Sequence, residues 1–448
     1  MKTESTRFRF IGHALNGDGP FRPVITYNAY DKPSNVNYSY LIKYPRESDE
    51  KFARRCELAF YASPLARVTN KFVSHVASKP VSREVSNEIL ALVMDDVDGK
   101  NNSVDVFWQE FMLNAKARGS LLLLVDMPNQ IPQTQLEQIA NRVAPYWTYI
   151  LPENVTDYQV NDYGKFDYVE FSGTYTKENG EKVDCVWHFD AEMWEARDND
   201  DKVLTSGEHP LRECPVISFT EMGDYPNVGP FAPIADLSKR LYNLDSELDE
   251  ILRSQTFSLL TMQVPDNTSG EERLEAARIA GETIGTNNLL MHGGSTPAFI
   301  APPDGPASIY LERIRDIRDQ ISDIGLEVTQ INQQESGIAM QMRFHTINAE
   351  LAKFCGRMED LERRAWELTA RWLGINELPE IEWPRDFNLA DTEQELQILR
   401  DMQETAMSPA VVMEQQKKVI ETQFSGMDRD QLEDLTNSLN NDLSQTDG

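Results

Sequence analysis

Three long stretches of the chain place apolar residues at alternating steps of three and four positions. This spacing is typical of one face of an α-helix, so 233–262, 306–332 and 343–375 are each predicted to form a single long helix. At about 1.5 Å per residue, each helix would span roughly 35–50 Å. The apolar stripes include Leu241, Leu244 and Leu248 in the first helix, and Ile314, Ile317, Ile321 and Ile324 in the second.

The N-terminal part of the chain shows shorter and more varied patterns. Residues 1–45 have no sustained period and are rich in Asn, Tyr, Pro and Gly, which predicts an extended arm. Helical spacings begin at residue 49, and Pro64 is expected to divide them into two helices. A further helix is predicted over 104–117, and Gly119 is expected to end it.

β-Structure is predicted after that helix. The run 121–125 is apolar throughout and is followed by a proline, as expected of a buried strand. Over 146–219, segments rich in β-branched and aromatic residues alternate with turn signals, which predicts several strands. Residues 50–225, approximately, therefore predict a mixed α+β unit.

The segments between and after the three long helices have weaker patterns. The insertion 263–305 predicts one short helix and two short strands, the second of them over 298–301. Residues 333–342 form a polar segment with one glycine, which predicts a loop. Beyond 376 the pattern predicts short helices and a final polar, acidic tail.

Charge restricts the possible functions. The 448 residues include 43 basic and 73 acidic ones, for a net charge of −30. A field of that sign repels nucleic acid at long range, which argues against a protein that clamps DNA in a basic groove. It is compatible with a protein that DNA passes without sticking to. No apolar run approaches the roughly 18 residues needed to cross a bilayer, so no membrane association is expected.

The sequence carries no signature of catalysis. It contains no GxxxxGK[ST], GxGxxG, HExxH or GxSxG pattern, and its four cysteines are too scattered for a zinc site or a disulfide framework. We therefore expect neither an enzyme nor a bound cofactor or metal. A hydrolase whose site has no sequence signature is kept as a weaker alternative.

The second long helix carries charges of both signs around the rest of its surface. Its basic residues Arg313, Arg315 and Arg318 lie among acidic ones such as Asp316 and Asp319. Such a face suits identical helices that pack side by side in a ring, where opposite charges meet across a contact between two different surfaces. We therefore assign the two apolar stripes and the three arginines to a stem that contacts neighbouring subunits. The alternative for each stripe is the core of an ordinary helical bundle.

Four segments, taken in order, carry a family resemblance. They are FYASPLARVTNKFVSHVASKPV, RECPVISFTEMGDYPNVGPFAPIADLSKRLYNLDSELDEIL, PPDGPASIYLERIRDIRDQISDIGLEV and ESGIAMQMRFHTINAELAKF. They resemble successive parts of the portal (head–tail connector) proteins of tailed bacteriophages. The first resembles the early helix pair, and the second resembles the strand, the linker and the first stem helix. The third resembles the returning stem helix, and the fourth resembles the tunnel loop and the helix that follows it. The resemblance covers about 49–376 and implies an α+β, portal-like fold, with an α/β wing and clip joined to long stem helices.

The resemblance also implies a division of the chain. The implied parts are an N-terminal arm at 1–45, a wing at 46–232 with its long helix at 343–375, a stem at 233–262 and 306–332, a clip at 263–305, a tunnel loop at 333–342, and a crown with an acidic tail at 376–448. The tunnel-loop candidates are Gln333, Gln334, Glu335, Ser336, Gly337, Met340, Gln341 and Met342. The clip candidates are Arg273, Arg278 and His292.

Partners and location follow from the same resemblance. Portal proteins form a homo-oligomeric, dodecameric ring at one capsid vertex, through which DNA is packaged and ejected. The implied partners are the major capsid protein and scaffold, the terminase large subunit, the neck or tail adaptor proteins, and double-stranded DNA that passes without sequence specificity. The protein would lie in the virion, and in the host cytoplasm during assembly. The alternative from another class is a cellular coiled-coil scaffold protein with an α+β ligand-binding domain.

Overall fold

The structure is a computed structural model of the 448-residue chain. It describes residues 2–128, 135–177, 179–256, 259–261, 271, 298–300, 305–325, 337–387, 400, 402, 412–413, 415–417 and 419. Helices and strands are mixed through the first 220 residues, and long helices follow, so the chain is mixed α and β, as the prediction of an α+β fold requires.

The described residues form helices of very different lengths and mostly short strands. The helices are α1 (Lys2–Asn16), α2 (Asp49–Leu58), α3 (Pro64–Val76), α4 (Glu88–Asp95), α5 (Val104–Arg118), α6 (Gln135–Asn141), α7 (Ala232–Thr256), α8 (Gly305–Ile324) and α9 (Gly337–Leu373). The strands are β1 (Ile25–Tyr27), β2 (Pro33–Val36), β3 (Ser82–Glu84), β4 (Ser120–Asp126), β5 (Tyr146–Ile150), β6 (Val155–Val160), β7 (Phe166–Thr176), β8 (Lys182–Phe189), β9 (Met193–Arg197), β10 (Val203–Glu208), β11 (Val216–Thr220), β12 (Leu259–Thr261), β13 (Ala298–Ile300) and β14 (Glu380–Glu382).

Local sequence signals explain several of these boundaries. Pro64 occupies the first turn of α3 and separates it from α2, as predicted. Gly119 ends α5 with a φ of 86°, in the left-handed region that favours glycine. A Cβ on Gly119 would lie 1.9 Å from the backbone nitrogen of Gly229, so a side chain cannot be accommodated there. This close approach joins the start of β4 to the linker that precedes α7.

The two largest sheets of the described residues are antiparallel. A three-stranded sheet has the order β11-β4-β5, and a five-stranded sheet has the order β10-β9-β8-β7-β6. The central strand β4 is buried from Ser120 to Val125, which confirms the predicted buried strand. Its side chains alternate between the main core, which receives Leu121 and Leu123, and a second core under the five-stranded sheet, which receives Leu122.

The main core is rich in tryptophan and joins distant parts of the chain. Trp147 of β5 lies between Trp108 of α5 and Trp366 of α9, with ring-centroid distances of 5.5 and 5.0 Å. Trp383, which follows β14, is also buried there. The long helix α9 is therefore part of the α+β unit, as its assignment to the wing implied.

Residues 1–45 were predicted to form an extended arm. This prediction is wrong for the first third of the segment, which forms α1. Ile11 and Ala14 of this helix are fully buried, and Arg7 makes two hydrogen bonds to Asp236 of α7, at 2.7 and 2.6 Å. Phe8, Ile11 and Leu15 stand at steps of three and four, which gives the segment one apolar face. The loop-like composition of the whole segment concealed this short period.

The ends of the long helices differ from the prediction. Helix α7 stops at Thr256, and residues 259–261, predicted as helix, form β12 and pair with β13. That pairing confirms the predicted strand near 298–301. Residues 337–342, predicted as part of a loop, form the start of α9, because the segment GIAMQM contains good helix formers and no proline.

Residues 376–448 were predicted to form a crown and an acidic tail, but the first residues of this segment belong to the α+β unit. Strand β14 pairs with β3, so residues 380–382 complete a small sheet of the α+β unit. Trp383 then inserts into the main core. The stretch up to residue 387 therefore packs on the α+β unit, and most of the remaining residues lie outside the described part of the chain.

Candidate functional site

Helices α7 and α8 pack side by side and carry the residues that the sequence assigned to the stem. Ile317 is fully buried, at 0% exposure, and Ile314 and Ile321 are buried with it. Tyr310 of α8 donates a hydrogen bond to Glu247 of α7, with 2.9 Å between Oη and Oε2. Apolar and polar contacts within one chain therefore hold this pair together.

The same chain covers the apolar stripe, which corrects its assignment to a contact between subunits. Leu241 and Leu248 are buried in one core with the three isoleucines, and Leu244 and Ile324 are half-buried against it. The spacing of a stripe shows that a helix face is covered, but it does not show which chain covers it.

The charged residues of α8 remain on the surface. Arg315 and Arg318 are exposed, and Arg313 is half-buried with its Nη1 3.5 Å from Asp316. Because the apolar stripe of α8 is buried within the chain, the exposed surface of this helix is largely charged.

A buried ion pair contacts the middle of α7. Arg55 of α2 contacts Glu47 through two hydrogen bonds of 3.0 and 2.8 Å, and it also donates to the carbonyl oxygen of Ile42 at 2.6 Å and to Ser246 of α7 at 3.4 Å. Burial is the largest influence on the pKa of Glu47 and would raise it. The hydrogen bonds from Arg55 and from the backbone N–H of Tyr44, together with the charge of Arg55, lower that pKa below its usual value. The segment before α2 is thereby tied to α7.

A second buried cluster ties α9 to the α+β unit. Glu362 is fully buried, and its carboxylate accepts hydrogen bonds from Arg83 Nε at 2.6 Å, Trp383 Nε1 at 2.7 Å and Trp366 Nε1 at 3.2 Å. Arg83 also contacts the more exposed Asp105. Burial favours a lower pKa for Arg83, yet the hydrogen bonds and charges of its acidic partners raise it. This cluster joins three segments that are far apart in sequence.

A third cluster lies where α5 meets the linker before α7. The buried ammonium of Lys116 pairs with Glu221 and lies over the rings of Phe72 and Phe231, with 4.1 and 4.4 Å to their centroids. Burial raises the pKa of Glu221, and the charge of Lys116 partly offsets that rise. Helices α3 and α5 and the linker thus share one charged contact.

The described residues offer little reactive chemistry. The four cysteines are buried and free, and burial raises the pKa of Cys214 and Cys355 to about 12, which keeps both thiols protonated at neutral pH. Within the described ranges, no group of three or more His, Cys, Asp or Glu side chains is arranged to hold a metal ion. Among the helices described there, none has the length and apolar character to cross a membrane.

The structure describes the other predicted site residues only in part. Gly337, Met340, Gln341 and Met342 lie in the first turns of α9. The remaining tunnel-loop and clip candidates lie outside the described residues, namely Gln333, Gln334, Glu335, Ser336, Arg273, Arg278 and His292.

Sequence reasoning missed the cluster around Glu362. Its members stand at positions 83, 362, 366 and 383, so only the step from 362 to 366 is a local spacing. An acidic residue on the apolar face of a helix was the one available signal, because a carboxylate at such a position needs buried donors.

Comparisons with known proteins give distant likenesses only. No protein-family model matches the sequence, and the search of curated proteins finds no match. A chain in the neck of a native gene transfer agent (GTA) particle, whose structure was computed with C12 symmetry, has a TM-score of 0.43 and 10% identity over 80% of this chain and 90% of that chain. A chain in the virion of a native GTA particle has a TM-score of 0.38 and 11% identity over 90% and 95% of the two chains. Neither likeness is close enough to assign a family or a function.

Proposed function

We propose that this protein is the subunit of a portal ring, a non-enzymatic conduit for double-stranded DNA at one vertex of a tailed-phage capsid. The observation that carries the proposal is the pair α7–α8, which follows the α+β unit in the order that the portal resemblance requires. Its apolar faces are satisfied within the chain, while Arg315 and Arg318 remain exposed. A helix pair of this kind can line a channel beside copies of itself without needing an apolar partner.

The charge of the chain suits passage of DNA rather than capture. Duplex DNA carries one negative charge per about 1.7 Å of its axis, so many lysine contacts would hold it in place. With a net charge of −30, the ring would offer a lining that repels the phosphates and lets the duplex slide in both directions. Met340 and Gln341, in the first turns of α9, are proposed to lie near the narrowest point.

The proposed partners are those that the resemblance implies. The ring would contact the major capsid protein and scaffold, dock the terminase large subunit during packaging, and bind the neck or tail adaptor afterwards. The motor would be a different chain, since this sequence has no phosphate-binding loop. The protein would lie in the virion and, during assembly, in the host cytoplasm.

Images of the purified protein test the proposal directly. Negative-stain electron microscopy, with native mass spectrometry for the subunit number, is expected to show rings with a central hole, about twelve subunits in each. Elongated dimers would favour the coiled-coil scaffold, and a monomer under every assembly condition would reject the ring.

The long helix α9 argues against that scaffold. It has 37 residues, which is about 55 Å. However, Leu351, Phe354, Met358 and Leu361 of its stripe are buried inside the same chain. Over residues 346–373 this stripe is therefore already covered and cannot serve as the seam of a coiled coil.

Reversing two charges on α8 tests whether this helix takes part in ring assembly without affecting the folding of the subunit. The double substitution Arg315→Glu and Arg318→Glu is expected to reduce the yield of rings by roughly tenfold, because like charges would meet across a charged helix contact. The midpoint of urea unfolding should stay almost unchanged, since both side chains are exposed. The matched control reverses Lys79 and Lys100, two exposed lysines outside α8 and outside the five-stranded sheet. Equal ring yields for the two double variants would exclude this face of α8 from the subunit contact.

A further inference from the structure

The segment from Val24 to Tyr44 exposes an unusual number of large apolar side chains. We call it the aromatic hairpin; it contains β1, β2 and the turns around them. Its exposed members are Tyr30 at 84%, Val24 at 75%, Tyr38 and Ile42 at 63%, Tyr27 at 47% and Tyr44 at 37%. Single exposed apolar residues are ordinary on a protein surface, but six within 21 residues mark a site of interaction.

Buried contacts fix the aromatic hairpin to the body of the protein. Tyr40 and Leu41 are buried in the main core. Asn243 of α7 donates to the carbonyl oxygen of Tyr40 at 3.0 Å and accepts from the backbone nitrogen of Ile42 at 2.9 Å. At the other end of the segment, Tyr27 donates to Glu57 of α2 at 3.2 Å. The backbone of the aromatic hairpin is therefore fixed at both ends before any partner binds, which reduces the entropy lost on binding.

The charge of this surface is opposite to that of the chain. Together with the flanking residues Arg22 and Arg46, the aromatic hairpin has four basic residues and one acidic residue, Asp31, whereas the whole chain has a net charge of −30. One of the four, Lys43, pairs with Asp49. Arg22, Lys32 and Arg46 are exposed. Tyrosine and arginine are enriched at protein–protein interfaces, so the composition fits a protein partner with an acidic surface.

Another copy of this chain has such a surface. On the five-stranded sheet, Glu170 pairs with His188, which in turn pairs with Glu195, so these side chains share one face. The alternation of side chains places Asp184 on that face too. The same alternation places Lys182 on this face, and Asp157 pairs with Glu170 there. Four acidic side chains therefore face two basic ones, Lys182 and Arg197, the latter beside Glu170 and Glu195.

We propose that the aromatic hairpin docks on an acidic surface of a second copy of this chain and forms part of the contact between ring neighbours. This inference rests on the proposed function. The hairpin and the acidic sheet are different surfaces of one subunit, so their contact is head-to-tail. A contact of that type closes into a ring when the rotation between neighbours fits a whole number of copies.

The test compares two matched sets of surface variants. The hairpin variant combines Tyr30→Ser, Tyr38→Ser and Lys32→Glu. The control combines Tyr163→Ser, in a turn at 91% exposure, with Lys79→Glu, at an exposed lysine outside both proposed surfaces. We expect the hairpin variant to lower the fraction of subunits in rings by about tenfold or more at a concentration where the wild type is half assembled. The control should assemble like the wild type, and circular dichroism should show that both variants fold.

The outcomes distinguish this inference from the proposed function. If the wild type forms rings and the hairpin variant forms them equally well, the inference fails while the portal proposal stands. If the wild type never forms rings, the portal proposal fails and takes the inference with it. A hairpin variant that assembles normally but loses binding to a 30-base-pair duplex at low salt would make the surface a DNA contact, which also overturns the inference.

Discussion

Replacement of Glu362 by alanine is expected to lower the free energy of unfolding by about 3–5 kcal/mol. The carboxylate is fully buried and accepts hydrogen bonds from Arg83, Trp366 and Trp383. Its removal leaves the guanidinium of Arg83 with Asp105 as its remaining acidic contact and leaves both indole N–H groups without this acceptor. A buried cation that has lost a partner costs far more than the ion pair contributes, because it cannot be solvated.

The matched control lies on the same helix. Asp360 is exposed and makes an ion pair with Arg363, also on the surface, with 3.3 Å between Nη1 and Oδ1. Asp360→Ala changes the net charge equally but should cost less than about 1 kcal/mol. Urea unfolding followed by tryptophan fluorescence measures both variants. A loss for Glu362→Ala that falls within about 1 kcal/mol of the control's would show that the buried cluster is not needed for stability.

Replacement of Ile317 by aspartate is expected to destabilise the isolated subunit by about 4–6 kcal/mol, before any ring is formed. Loss of a buried isoleucine side chain costs about 2–5 kcal/mol, and the aspartate must in addition be desolvated or protonated. Ile317 has no exposed surface between α7 and α8, so the aspartate has no route to water. Thermal unfolding at a protein concentration that keeps the subunits apart measures the effect.

Ile309 supplies the matched control on the same helix. It is 66% exposed, so Ile309→Asp should shift the free energy of unfolding by less than about 0.5 kcal/mol. A second outcome is informative for Ile317→Asp itself. If the variant subunit is as stable as the wild type but no longer assembles, the stripe is a contact between subunits after all, as the sequence alone had indicated.

The sequence was informative where a feature depends on neighbouring residues. Pro64 marked the start of α3, because proline lacks an N–H and cannot continue a preceding helix. Gly119 marked the end of α5, because glycine tolerates a positive φ. The apolar run at 121–125 predicted β4, since a strand covered on both faces needs apolar residues at every position. The long helices were predicted from their period, although their ends shifted by several residues.

The candidate site was predicted only in outline. The stripe with Ile314 and Ile317 was recognised as a face that must be covered, but it was assigned to a neighbouring subunit. The cluster of Arg83, Glu362 and Trp383 was not predicted, because its members come from different segments and Arg83 lies 279 residues before Glu362. Helix α1 was missed because a short apolar period stands in a segment of loop-like composition.

By itself, the sequence determined which residues favour a helix or a strand and which face of each must leave water. The tertiary structure alone decided what covers that face: α7 covers the stripe of α8, and α7 with the main core covers α1. The physical reason is that the hydrophobic effect is non-directional and depends on the apolar area removed from water, not on how far apart two residues are in the sequence. A period in the sequence therefore reports that a side chain is buried, and only the packed chain reveals against what.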